Sequence, residues 1–185
     1  MIRNTTLAFS ILLMACGNNN SPNQTTDAPT TPVDSTSLYP TTKSSIQLAD
    51  TLQASSWMID VIKNHFAENN PEMEAMTTSD YFEYKTDATN IDLGINGSLD
   101  RVAFENKWKA KFDTKYAGIQ NGFLISGQDY GNIVVHSFDF VKEEYGKLWF
   151  KVILEDTDFK IKYNREIGIT KENDQFKIAD VKEFE

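Results

Sequence analysis

The chain has 185 residues with a formal net charge of −9; 40% of them are hydrophobic and 12% aromatic. That length suits one domain of ordinary size, and the acidic balance argues against nucleic-acid binding, which needs Lys and Arg to neutralise phosphates. It also argues against docking on anionic lipid through a basic patch. The chain's one cysteine rules out an internal disulfide and a Cys-rich zinc site.

At the N-terminus, Arg3 precedes an apolar stretch, Leu7 to Ala15, broken by Ser10. Such a run is too short for a bilayer, which takes about 20 apolar residues, and it suits the apolar core of a secretory signal. It ends in Leu13-Met14-Ala15-Cys16, which resembles the lipobox of bacterial lipoproteins. The resemblance implies cleavage before Cys16 and lipid on its sulfur. Residues 1–15 then form the signal peptide. At about 0.8 kcal/mol per buried CH₂, several acyl chains make an effectively permanent anchor. Gly17 stands where an Asp would favour inner-membrane retention, so the same resemblance points to the outer membrane.

Residues 16–44 are the lipidated Cys16 and a Thr/Pro/Asn/Ser-rich tether with almost nothing apolar to bury, so it cannot offset its ordering entropy. Pro22, Pro29, Pro32 and Pro40 stiffen it towards extended conformations. From Ser45 to Glu185 the pattern is that of one folded domain. Ile46, Leu48, Leu52, Ala54, Trp57, Met58, Val61, Ile62 and Phe66 recur at helical spacing, with Ser44 or Ser45 as cap and Asn69-Asn70-Pro71 as stop. Pro71 opens a short second helix with Met73 and Met76 inward. Tyr81, Phe82 and Tyr84 suggest a short strand. Ser98 caps a third helix carrying Leu99, Val102, Phe104, Trp108 and Phe112, and Phe123 to Ser126 suggests another short strand.

After Gly131 the period becomes two, and four strands follow. A hairpin at Glu144-Tyr145-Gly146 sets Phe140 opposite Phe150, Phe138 opposite Val152 and His136 opposite Leu154. A tight turn at Thr157-Asp158 sets Val152 opposite Tyr163 and Phe150 opposite Arg165. A turn over Lys171 to Asp174 sets Arg165 opposite Asp180, Tyr163 opposite Lys182 and Asn164 beside Val181. All three turns place the same apolar set on one side of an antiparallel meander, which helices must cover. The expected class is α+β, with N-terminal helices on one face of a curved antiparallel sheet made of a four-stranded C-terminal meander and one or two short strands.

This element order over residues 45–185 resembles the cone-shaped nuclear-transport-factor-2-like (cystatin-like) fold. The stretches Tyr84-Lys85-Thr86-Asp87, Gly122 to Asp129 and Asp180 to Phe184 are also similar to uncharacterised small envelope lipoproteins. The first resemblance implies a pocket between sheet and helices, in a fold shared by isomerases, dehydratases, ligand binders, dimerisation modules and toxin-neutralising proteins. In that setting Arg165 and Asp180, with Tyr163 and Lys182 one row along and His136 on the same face, form a candidate site for a small anionic ligand. The bland alternative is a structural ion pair at the cone's mouth. An isomerase- or hydrolase-like enzyme could use His136 or Asp180 as base, although an opposed Arg165 would keep Asp180 ionised.

No catalytic residue is assigned, and no cofactor or metal is expected. The two histidines are far apart, and no phosphate-binding Gly-rich loop, nucleophile elbow or dinucleotide fingerprint occurs. On the sheet's other face, Val135, Val141, Trp149 and Ile153 form a candidate interface beside the Asp139–Lys151 pair, for a homodimer or an envelope protein partner. The expectation is therefore a lipid-anchored, non-enzymatic binding or interaction protein of the cell envelope, probed against the enzyme and toxin-neutralising or envelope-assembly alternatives.

Overall fold

The structure, a computed structural model, describes residues 42–67, 71–95, 97–127 and 129–184. The signal segment, Cys16 and the tether up to residue 41 lie outside them. Helix α1 (Thr42–His65) begins three residues inside the segment expected to be tether. It is followed by α2 (Met73–Met76), α3 (Ser79–Asn90), α4 (Arg101–Trp108) and a 3₁₀ turn (Thr114–Tyr116). Strands β1 (Ile133–Glu144), β2 (Lys147–Asp156), β3 (Ile161–Glu172) and β4 (Gln175–Phe184) form one antiparallel sheet in the order β1-β2-β3-β4. The α+β class with helices preceding a meander is therefore as expected. Among the described residues no helix is long and apolar enough to cross a membrane.

Helix α1 buries Ala54, Met58 and Ile62, one turn apart along a single stripe, while Leu52, expected in that stripe, is 63% exposed. Tyr81 to Tyr84 is not a strand. Thr78 caps a helix there by accepting from the Tyr81 N–H at 3.3 Å, a contact that typically contributes about 1 kcal/mol. Buried Tyr81, Tyr84, Lys85 and Ala88 then recur at three and four residue steps. The next helix is capped by Asp100, which accepts from Ala103 N–H at 2.7 Å, and not by Ser98. Its Phe104 and Trp108 are buried, but Val102 points out at 66% exposure. Tyr84 stacks on Phe104 and Phe112 and meets Trp108 edge-on, so α3 and α4 are joined by an aromatic cluster.

Phe123 to Ser126 is a bent segment in which Leu124 adopts φ 69°, and it makes no strand. The extended pairing outside the meander is a single bridge between Thr77 and Ile178, so the short additional strands are not formed among the described residues.

The meander's inner face carries Phe150, Val152, Leu154, Tyr163, Arg165, Ile167, Ile169, Ile178 and Val181, all buried. Its register departs from expectation at each turn. Tyr145 and Gly146, with φ 51° and 71°, make a two-residue primed turn, and a bulge after Phe140 then restores the expected Phe140–Phe150 and Phe138–Val152 pairs. A second bulge ejects His136, so Val135 takes the position opposite Leu154. The β2–β3 turn spans residues 157–160, and this moves Arg165 from Phe150 to Val152 and Tyr163 to Leu154. Asn173 and Asp174, with φ 50° and 62°, make the last turn, and a bulge separates the Ile169–Ile178 pair from Gly168–Asp180.

That last bulge decides the polar arrangement. A one-residue shift in strand register exchanges the two faces. Beyond Ala179, odd-numbered Val181 and Glu183 point inward, while Asp180 and Lys182 point outward. Arg165 is therefore opposite Glu183, and the Arg165–Asp180, Tyr163–Lys182 and Asn164–Val181 juxtapositions are corrected.

Candidate functional site

The polar residues expected to share one site fall into three places. Tyr163 and Arg165 stay on the inner face, with the Arg165 guanidinium 5.6 Å from the Tyr163 ring centroid. Asp180 and Lys182 lie on the outer face. His136 stands in its bulge on β1, exposed, where Nδ1 meets Glu155 Oε2 at 2.8 Å and Nε2 meets Lys162 Nζ at 3.2 Å. With a carboxylate on one nitrogen and an ammonium on the other, Nδ1 donates to Glu155 and Nε2 accepts from Lys162. The bulge thus sets His136 on the exposed surface, apart from the inner-face residues it was expected to join.

Arg165 is 2% exposed and spends its guanidinium on the chain itself. Its Nε donates to Leu124 O at 2.9 Å, one terminal nitrogen to Asn164 O at 2.8 Å, and the other to Ser126 Oγ at 3.1 Å. The last of these nitrogens also lies 3.5 Å from Glu183 Oε2. Glu183 accepts in turn from Asn121 at 3.2 Å and, on its other oxygen, from the ammonium of Lys85. Lys85 is 1% exposed and donates further to the carbonyls of Ala117 and Gly118 at 3.1 and 3.2 Å.

This is a buried Lys85–Glu183–Arg165 cluster whose work is to tie residues 117–126 to α3 and the sheet. Burial pulls the Lys85 ammonium below its ordinary value, and the Glu183 carboxylate opposes that pull. Burial likewise pushes the Tyr81 phenol well above its usual range, assisted by the negative charges of Glu183 and Asp180. Gly118 is required here on two counts. Its φ is +58°, and a Cβ built on it would overlap the Glu183 carboxylate.

None of Lys85, Gly118, Asn121, Ser126 and Glu183 is expected at a binding site from the sequence, and strand alternation puts Glu183 on the sheet's outer face, which the structure corrects. The signal was available for Lys85, which shares a helical stripe with Tyr81, Tyr84 and Ala88 once the segment is read as α3. Glu183 could not be found that way, because its inward direction depends on the bulge at Ala179.

On the outer face, Trp149, Gly168 and Asp180 form one row across β2, β3 and β4. Trp149 lies flat over Gly168, where an added Cβ would sit 3.2 Å from the indole Cη2. The ammonium groups of Lys182 and Lys147 stand 4.7 and 5.7 Å from the Trp149 ring, leaving it 6% exposed. Trp149 is thus covered by its own neighbours rather than offered as an interface anchor. Its Nε1–H is buried without a hydrogen-bond partner among the described residues, which typically costs about 1–3 kcal/mol.

Asp180, buried beside this ring, has its carboxyl held above the usual range by desolvation, with Lys147 at 3.5 Å and Lys182 opposing the rise. Of the other expected interface residues, Val135 belongs to the inner face against the core. Ile153 is half-buried on the outer face between Ser137 and Asn164, and Val141 sits in the β1 bulge at 48% exposure. Asp139 and Lys151 are paired across β1 and β2 as expected.

Among the described residues no three His, Cys, Asp or Glu side chains are grouped so as to hold a metal ion. Comparison with family models, with curated proteins and with solved structures finds no match to this chain.

Proposed function

We propose that this chain is a lipid-anchored protein of the bacterial cell envelope, held at the outer membrane through Cys16, whose domain acts by binding a protein partner and not by catalysis. The observation that carries this reading is the use made of Arg165. Arg165, the cation buried on the inner sheet face among the described residues, is bonded to Leu124, Asn164, Ser126 and Glu183 of its own chain, which favours recognition at the exterior. The outer face offers half-buried Ile153 and exposed Val141 among polar and charged neighbours, Ser137, Asn164, Asp139, Lys151 and Glu166, the mixed composition of a non-obligate protein interface.

Two experiments test the two halves. Cys16→Ser should release the protein from the membrane fraction of its own cells, and unchanged fractionation would overturn the anchor. A photo-crosslinking residue at Ile153 or Val141 in the full chain should give a discrete protein adduct in intact cells. The same probe at Lys109 on the helical side should not. Equal labelling at all three positions, or none at the outer face, would overturn the interaction surface.

A further inference from the structure

At the end of the domain where α4 begins, the 3₁₀ turn and the tail of β4 converge on an open cleft of about 430 Å³, inside the ~300–1,000 Å³ range of small-molecule sites. Arg101, Lys115, Tyr116, Ile119 and Phe184 line it together with Glu183, whose side chain forms part of its floor. We propose that this cleft binds a small organic carboxylate, its anionic end between Arg101 and Lys115 and its flat body against Tyr116 and Phe184.

The charge distribution favours an anion. Neighbouring cations on the same surface are satisfied: Lys107 holds Glu83 and Asp87 at 2.7 Å, and Lys111 holds Asp80 at 2.9 Å. The two rim cations are held more loosely. Arg101 reaches Glu105 only at 4.0 Å, with both side chains more than half exposed. Lys115 makes no ion pair among the described residues, and its ammonium stands 5.1 Å from the Tyr116 ring. The acids nearest in sequence, Asp100 and Asp113, are turned to cap the backbone N–H groups of Ala103 and Lys115. Behind the cleft, two buried cations, Lys85 and Arg165, face one carboxylate, Glu183. Among the residues that line the cleft, two cations, Arg101 and Lys115, thus face one carboxylate, Glu183, in a chain that is acidic overall.

The shape favours a carboxylate with a planar or apolar body. The Tyr116 and Phe184 rings lie 4.8 Å apart and offer a continuous aromatic surface, extended by Ile119. The guanidinium fork of Arg101 matches the two oxygens of one carboxylate, and Lys115 adds a point charge. These walls are preformed, because Lys85 holds the carbonyls of Ala117 and Gly118, and Gln120 N–H donates to Ala88 O at 3.0 Å. Free inorganic phosphate would meet the same cations but leave the aromatic wall unused.

The test uses the full chain with isotope-labelled tyrosine and phenylalanine rings, titrated with benzoate and separately with inorganic phosphate. Benzoate should move the Tyr116 and Phe184 resonances saturably with a Kd at or below about 1 mM, and phosphate should bind several-fold more weakly. Arg101→Ala with Lys115→Ala should weaken benzoate at least about tenfold, the loss of one or two charge-assisted contacts. Lys109→Ala, which removes a neighbouring charge outside the cleft, should leave the affinity unchanged. Non-saturable shifts, phosphate binding as tightly as benzoate, or benzoate affinity that survives the double substitution would each overturn the proposal. The cleft meets the edge of the outer face at Phe184, but neither Ile153 nor Val141 lines it, so its failure leaves the outer-face reading standing.

Discussion

Replacing Glu183 by Gln changes no heavy-atom volume, yet it should be among the most damaging single substitutions in this domain. In the native cluster one carboxylate stands between two cations, all three at most 2% exposed as side chains. Glu183→Gln leaves Lys85 and Arg165 buried with no counter-charge, and breaking a buried pair from one side costs about 3–5 kcal/mol. That is a large share of the roughly 5–15 kcal/mol that holds an ordinary domain folded. Lys85→Met should cost less. It leaves Glu183 with Arg165 and Asn121, and the principal loss is the Ala117 and Gly118 carbonyls, about 1–3 kcal/mol if they stay dry. The double variant should cost less than the sum of the singles, since the stranded Lys85 charge is gone. Equilibrium urea unfolding followed by fluorescence of Trp57, Trp108 and Trp149 measures all three. A Lys85→Met variant as unstable as Glu183→Gln would refute the charge-balance reasoning, as would a Glu183→Gln cost below about 1 kcal/mol.

Gly118→Ala should destabilise by more than the about 1–2 kcal/mol of the left-handed backbone alone, because the new methyl group displaces the Glu183 carboxylate; calorimetric melting of the two proteins measures it. Burial alone would raise the Asp156 carboxyl, but the N–H groups of Phe159, Gly131 and Asp158 overcome it and hold the group below its ordinary value of 3.8. A depressed folded-state value means that this stabilisation is complete above pH 3.8 and is lost as the pH falls further. Asp156→Asn should therefore be less stable than the parent at neutral pH, with the gap closing in acid titrations of stability. Paired cysteines at Glu166 and Lys182, which face each other across β3 and β4, should oxidise to a disulfide, whereas Asn164 with Val181 should not. Gel shift under oxidising conditions checks both, and the reverse outcome would place the bulge elsewhere than Ala179.

Much of the architecture was legible because it rests on local periodicity. The stripe Ala54, Met58, Ile62 follows from helical spacing, and the apolar alternation after Gly131 follows from the pleat of a strand. Each hairpin turn was located to within two residues, and shifting a partner by two positions keeps every side chain on its own face. For that reason Tyr163 and Arg165 were correctly expected on the inner face although both of their partners were misassigned. Reading Tyr81-Phe82-Tyr84 as a strand failed because aromatic residues favour both pleated surfaces and helix-packed clusters. Thr78 three residues upstream and Lys85 and Ala88 downstream carry the helical signal instead.

What the residues alone determined was the α+β class, the order of helices before a meander, and the presence of an arginine on the inner face of β3. What only the tertiary structure decided was that arginine's partner. The choice between Asp180 and Glu183 turns on one extra residue at Ala179, which exchanges the faces of everything after it. No local pattern specifies that residue. The arrangement it permits is held by contacts distant in sequence, with Lys85 bonded across 98 residues to Glu183 and Arg165 across 41 to Leu124. The placement of charge inside this domain is consequently a property of the assembled sheet and helices.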